Sequence, residues 1–351
     1  MPTTKSFETV KVKNILVVRQ HNQLGDMLCC TPLFASLKKK FPNASITLVA
    51  SPFNCRMYEG DESGFIDNLI IFDKTKLGSF FKLIRAVRKR KYEIGIVPST
   101  VSASSTSHYI NFLSGAKIRI GAASINGHRN GSANLLTDSV DFKWSGKEIH
   151  QMERNLDYGR LLGADFSESE RRKIRIKLNH DEIKFAKDFY KEHFPDSGRK
   201  VFAFHAGAGK SQNRWSRNKF VKLIEALNEK YNPYILLTSG YMDKEVTEYI
   251  LPKLEKKNIK PVIIEKPHLR KIAAVLANVD LYVTNDTGLM HVAAFVNAKV
   301  IGLFGPTHAY EWGPMNEHGR CVQSASEDID GITVERVMEE SVKLIETGKH
   351  R

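Results

Sequence analysis

The sequence predicts an α/β protein built from two Rossmann-like, doubly wound parallel-sheet domains facing a central cleft. Three observations predict it. The 351 residues exceed one ordinary domain and suit two. Short β-branched runs alternate with amphipathic segments, the order that builds parallel sheets. That alternation runs twice, once from Asn14 and again from Lys200, with no sequence repeat between the halves.

In the first half, residues 14–19 read as a strand and 20–25 as a polar loop. A helix follows, ending near Lys40 before the Phe41-Pro42-Asn43 break. Strands are expected over 45–50 and 93–98, with a strand–helix step over 69–91 between them. Residues 99–133, rich in Ser, Gly and Asn, read as loops with short elements. The polar stretch 167–199 reads as the boundary, giving domains 1–180 and 181–330 and a tail, 331–351. In the second half, strands are expected over 201–205, 234–238, 260–264, 280–284 and 299–304. Helices over 218–231, 243–253, 269–277 and 287–296 separate them, and an amphipathic helix over 334–346 closes the chain. In such sheets ligands bind beyond the carboxyl ends of the strands, so the loops after Arg19, His205, Ser239, Thr284 and Phe304 are where a site is expected.

Composition narrows the class. At 42% hydrophobic and 26% charged the chain reads as soluble and globular. Its longest aliphatic runs, such as Ile15-Leu16-Val17-Val18, are far too short to span a bilayer. The first fourteen residues lack the apolar core of a secretory signal, so a cytoplasmic location is expected. Cys29, Cys30, Cys55 and Cys321 show no Cys-x-x-Cys spacing; they read as reduced thiols, and no metal site is expected. The net charge of +14 is uneven. Residues 1–180 carry 28 Lys+Arg against 16 Asp+Glu, a net +12, and residues 181–351 carry 25 against 23, a net +2. A basic first half suits an anionic partner: a phosphorylated glycolipid, a membrane surface or nucleic acid. The basic runs Lys82 to Lys91 and Arg171 to Lys177 lack the aromatic and Gly pattern of an RNA-binding sheet, so nucleic acid is not expected.

Four loops carry candidate chemistry. In Arg19-Gln20-His21-Asn22-Gln23-Leu24-Gly25-Asp26, Gly25 permits a tight turn or a close backbone approach, and Asp26 sits at the helix start. A helix start should favour the charged carboxylate and weaken it as a base; a base that takes its proton late still serves. In Asn285-Asp286-Thr287-Gly288-Leu289-Met290-His291, a strand runs into a helix whose free N–H groups suit a pyrophosphate, and Gly288 lets a phosphate come close. An ordinary capped helix explains Asp286 or Thr287 alone, and His291 alone reads as a packed histidine. In His205 to Trp215, Gly207 and Gly209 give a flexible turn, and Lys210, Arg214 and Arg217 offer cations to a departing nucleoside diphosphate. Gly209-Lys210-Ser211 resembles a phosphate loop, but Phe204 stands where that motif needs Gly. Phe304-Gly305-Pro306-Thr307-His308 and Glu311-Trp312-Gly313-Pro314 form a turn-rich loop at the same sheet edge.

Taken together, NILVVRQHNQLGDMLCCTPL, GAKIRIG, HQMERNLDYGRLLGAD, HAGAGKSQNRW and NDTGLMHVAA with LFGPTHAYEWGP resemble, in order and spacing, glycosyltransferase family nine, the ADP-heptose:lipopolysaccharide heptosyltransferases. The resemblance implies a GT-B fold with an acceptor-binding N-terminal half and a donor-binding C-terminal half, and inverting transfer without a metal. It implies Asp26 as the catalytic base. Lys210, Arg214, Asp286, Thr287, Gly288, Leu289 and His291 fall in its donor stretch, with Asp243, Glu245 and Gly207 near the ribose or base. Arg19, Gln23, Gly25 and Arg129 would face the acceptor. It implies a nucleotide sugar (ADP-heptose) as donor, an anionic lipopolysaccharide-core acceptor, contact with the inner face of the inner membrane, and a final helix folded back on the first domain. The chain departs from the family at Pro267-His268 and over residues 99–109. Two other readings stay open: a P-loop-like kinase or ATPase using Gly209-Lys210-Ser211, and a basic module binding nucleic acid or a membrane surface.

Overall fold

The computed structural model describes residues 11–240, 243–265 and 268–347. They divide into two compact units, Met1–Ile174 and Arg175–Arg351, so the boundary falls six residues before the expected one.

The first unit holds strands β1 (Asn14–Arg19), β2 (Ser45–Ala50), β3 (Asn68–Ile71), β4 (Ile94–Ile96), β5 (Ile118–Ile125), β6 (His128–Arg129) and β7 (Asp138–Phe142). Their order is β3-β2-β1-β4-β5. β6 turns back antiparallel on the end of β5, and β7 runs parallel to β5 with a bulge at Ala122/Ser124. Every residue of β1 after Asn14 is buried, which is why it reads as an unbroken apolar run rather than an alternating one. The helices are α1 (Leu24–Leu28), α2 (Thr31–Lys40), α3 (Ser79–Val87), α4 (Ser105–Leu113), α5 (Gln151–Arg160) and α6 (Glu168–Arg172). The single helix expected up to Lys40 is thus two, broken at Cys29-Cys30.

The second unit holds β8 (Val201–His205), β9 (Tyr234–Ser239), β10 (Val262–Glu265), β11 (Leu281–Asn285), β12 (Val300–Phe304) and β13 (Arg320–Gln323). All pair in parallel, in the order β10-β9-β8-β11-β12-β13. Its helices are α7 (His180–His193), α8 (Arg217–Tyr231), α9 (Lys244–Glu255), α10 (Leu269–Leu276), α11 (Gly288–Phe295), α12 (Ala309–Trp312) and α13 (Val334–Glu346). In both units the order reverses beside the first strand, between β1 and β4 and between β8 and β11. A doubly wound sheet binds its ligand at that switch point.

One expectation is corrected. Residues 99–133 are not mainly loop: they carry α4, β5 and β6, because Ser104 caps α4 by accepting the Ser107 N–H and the apolar face of the helix closes the core. The division at 174/175 falls inside the polar stretch 167–199, which also carries α6 and α7, each opened by a capping box, Ser167 with Glu170 and Asn179 with Glu182. Val337, Leu344 and Ile345 of α13 are buried in one cluster with Phe220, Leu223 and Leu227 of α8. Within the second unit α7 packs on α10, where fully buried Arg270 meets the Glu182 carboxylate at 2.5 and 2.8 Å and donates to the Lys177 carbonyl at 2.7 Å. No helix among the described residues is long and apolar enough to cross a membrane.

Candidate functional site

At the switch point of the first unit, β1 ends in a buried arginine. The Arg19 guanidinium donates to the Pro98 carbonyl, beyond the end of β4, and to Asp26 Oδ1 at 2.9 Å. Asp26 lies in the first turn of α1, its side chain 14% exposed. Burial pushes its carboxyl above the ordinary value of 3.8, against the opposing charges of Arg19 and His21. Burial thus opposes the helix-start effect expected from sequence. Gln20 donates to the hydroxyls of Ser104 and Ser107 on the α4 side, and its Oε1 has no partner among the described residues. Asn54 fastens the same loop by donating to the carbonyls of Arg19 and His21.

The other acceptor-side expectations fare unevenly. Gln23 is the exposed residue before α1 and makes no side-chain cap. Gly25 lies inside α1 and is not among the glycines of positive φ, so a left-handed turn is not its role. Arg129 is exposed on β6, paired with Ser124, and no hydrogen bond among the described residues joins it to Arg19 or Asp26. A cavity of about 280 Å³ opens beyond the ends of β1, β2 and β3, lined by Gln20, His21, Ser51, Phe53, Phe72 and Lys74 among others. Cys30 and Cys55 are buried, which pushes their thiols up to about 11 and about 12, as suits small apolar side chains.

In the second unit, β11 delivers Asn285, Asp286 and Thr287 to the start of α11. Thr287 is the N-cap residue, in extended backbone, and its side chain makes no cap. Nor does Asp286: its carboxylate accepts from the Thr307 hydroxyl at 2.8 Å and the Asn213 amide at 3.3 Å. The two capping-type residues thus leave the first N–H groups of α11 uncapped by side chains, an arrangement suited to an anion. Burial pushes the Asp286 carboxyl up, against the Thr307 bond and the Lys210 charge.

The loop after β8 is held against this helix start. Asn285 is fully buried; its amide donates to the carbonyls of Ala206 and Gly207 at 3.0 Å each, and its Oδ1 accepts the Trp215 N–H at 3.1 Å. Arg214 Nε donates to the Ala208 carbonyl at 2.9 Å, fixing the plane of the guanidinium. Lys210 is exposed and precedes a single 3₁₀ turn, Ser211–Asn213, so Gly209-Lys210-Ser211 does not open an α-helix as a phosphate loop requires. Trp215 is buried against Phe220 and donates its indole N–H to the Ile332 carbonyl.

The pair Asp243 and Glu245 separates cleanly. Asp243 is buried, accepts the Gly240 N–H at 2.9 Å and stands 3.8 Å from His205 Nε2. A Cβ on Gly207 would lie 1.9 Å from its Oδ1, so Gly207 is what lets this carboxylate approach the loop. Glu245 is exposed and paired with Arg217 at 2.9 Å. Leu289 is partly buried, and His291 is buried with its ring 6.4 Å from that of Trp312. Pro267 lies outside the described residues. Sequence reasoning placed Asn213, Asn285 and Thr307 in candidate loops but gave them no individual role, because an Asn or Thr that stitches loops carries no spacing signal. No group of three or more His, Cys, Asp or Glu among the described residues could hold a metal.

Comparison with known proteins places this geometry. The family model described as "Glycosyltransferase family 9 (heptosyltransferase)" matches residues 80–340. The chain belongs to glycosyltransferase family 9. This family 9 chain is 26% identical over 347 residues to a lipooligosaccharide heptosyltransferase 2 of Haemophilus influenzae, covering 88% of each. It shares its fold with a family 9 glycosyl transferase of Veillonella parvula at a TM-score of 0.81, 20% identity and 97% and 100% coverage. E. coli ADP-heptose lps heptosyltransferase II follows at 0.76, 22% identity and 95% and 99% coverage. The family 9 chain is therefore a glycosyltransferase enzyme whose two units have the GT-B architecture. The readings as a kinase or ATPase and as a non-enzymatic binding module gain no support from any of these similarities.

Proposed function

We propose that the protein moves a heptosyl group from ADP-heptose to a hydroxyl of an anionic lipopolysaccharide-core acceptor, with inversion and without a metal. The observation that carries this reading is the Arg19–Asp26 pair at the switch point of the first unit. A carboxylate made more basic by burial, and oriented by a guanidinium, is what a general base at an acceptor hydroxyl needs. The donor half of the reading is supported by the uncapped start of α11, beside Lys210 and Arg214, where a diphosphate would find N–H donors and cations. The heptosyl identity is supported by the names of the relatives.

In this reading the acceptor hydroxyl gives its proton to Asp26 while its oxygen attacks the anomeric carbon from the face opposite the leaving ADP. The bond to the diphosphate breaks, and its growing charge meets the α11 amides, Arg214 and Lys210. Arg214, tethered through Ala208, is the better-oriented cation and is assigned the main phosphate contact. Asp243 with Gly207 is assigned to the ribose. Arg19 positions the base rather than touching substrate. The enzyme acts in the cytoplasm, peripheral to the inner membrane.

The test is Asp26→Asn. It is expected to bind ADP as the wild type does and to lose transfer by about a hundredfold or more, the low end of what a general base supplies. Retained turnover would remove Asp26 from the chemistry.

A further inference from the structure

The first unit carries an apolar and basic surface that the transfer chemistry does not use. Leu77 is fully exposed, and Phe81, on the first turn of α3, is 79% exposed. α3 buries Leu83 and Val87 in the core, and Phe80 sits edge-on to Phe72, with ring centroids 6.3 Å apart. The opposite side of the helix therefore presents Phe81 with Lys82, Arg85 and Arg88. From Lys74 to Lys91 the chain holds eight Lys and Arg and no acid, and all eight are exposed. Ile71 and Phe53 add half-exposed apolar side chains at the neighbouring strand ends.

Two large apolar side chains held out into solvent within a field of cations fit one kind of partner. We infer that Leu77 and Phe81 insert into the interface of an anionic lipid bilayer, with Lys76, Lys82, Arg85, Arg88 and Lys89 on its phosphates. An amphipathic basic helix lies in such an interface with its aromatic and aliphatic side chains at the acyl boundary. Nucleic acid would use the cations but gives Leu77 no role, since its bases need planar stacking partners. Lys74 and Thr75 line the cavity beyond β1–β3, so docking here sets that opening beside the headgroups. The inference extends the proposed glycolipid acceptor, but it is read by binding rather than turnover, so either can fail alone.

The experiment is co-sedimentation of the full chain with phosphatidylcholine vesicles, with and without phosphatidylglycerol, over a salt series. Strong binding to the anionic vesicles is expected, weakening as salt rises. Lys82→Glu with Arg85→Glu should lower it at least twentyfold, because each cation near an anionic surface contributes roughly fivefold. Leu77→Ser with Phe81→Ser should lower it at least tenfold, with melting temperature and transfer to a delipidated, soluble acceptor unchanged. Wild-type protein that ignores anionic vesicles overturns the inference. So does a Leu77/Phe81 variant that binds them as well as wild type, or tight binding to RNA with none to vesicles. In each of those cases unchanged transfer to the soluble acceptor would leave the transferase reading standing.

Discussion

Replacing Arg19 by Gln asks whether one cation sets the charge state of Asp26. The guanidinium lies 2.9 Å from Oδ1, and the two side chains are only 6% and 14% exposed. At an effective dielectric near 20, charges about 3 Å apart attract by roughly 5 kcal/mol, an upper bound before desolvation is counted. The usual effect of an adjacent Arg on an Asp is about 1–3 pKa units, or about 1.4–4 kcal/mol. Burial already holds the Asp26 carboxyl above 3.8 with Arg19 present. Without Arg19 it must rise further. A base works only when ionised, so transfer fails on the acid side of its titration. The pH profile of kcat/KM for Arg19→Gln should therefore have its acid limb about 1–3 units above that of the wild type, with a plateau at high pH. Arg19→Lys keeps the charge and should keep the limb within about one unit of wild type. A folded Arg19→Gln enzyme whose acid limb coincides with the wild-type limb, or falls below it, would refute the reasoning.

Three further outcomes can be measured. Gly207→Ala puts a methyl onto the Asp243 carboxylate; overpacking of this kind costs about 1–3 kcal/mol, and calorimetry should show weaker ADP binding while the Asp26 limb stays in place. Asn285→Ala removes two donated bonds and one accepted bond from a fully buried junction; a stability loss of about 3 kcal/mol is expected in urea titration, with nucleotide affinity falling alongside. His108 is buried between α4 and β5, and burial holds its imidazole at about 4 against an ordinary 6.5. Its contribution is full above pH 6.5 and is lost as pH falls toward 4, because the unfolded chain takes the proton first. The urea midpoint of wild type should therefore fall more steeply across that window than the midpoint of His108→Gln.

The central strands were legible in the sequence because a parallel strand buried on both faces leaves an unbroken apolar run, as in Leu281–Asn285 and Val300–Phe304, whereas β5, β6, β7 and β13, whose residues are more exposed or polar, were not. What escaped was structure written in polar residues. The capping boxes at Ser167 and Asn179 have the spacing of helix starts, yet their surroundings are so charged that the segment reads as linker. α4 hides in Ser-rich sequence, where only the Ser104 cap and the buried Ile110 mark it. Of the proposed site, Asp26, Gly207, Arg214 and the 285–289 stretch could be singled out because each lies in or just beyond the segment that follows a strand. Its electrostatics could not: position on a helix suggested a weak base, and the burial that opposes this comes from packing around Asp26. The partners of Asp286 come from loops 73 residues before it and 21 after it, a separation that no local pattern encodes.

The buried contact between Arg270 and Glu182 bears on how the second unit can be isolated. A polypeptide started at residue 200, where the strand–helix rhythm resumes, would lack both the Glu182 carboxylate and the Lys177 carbonyl. It would take the carboxylate away from a wholly enclosed cation, a loss of about 3–5 kcal/mol when one member of such a pair is removed. Started at Arg175 and carried through α13, the same half would retain its counter-ion and the helix that seals Trp215. A fragment cut that way would let nucleotide affinity be titrated with every residue proposed for the acceptor left behind.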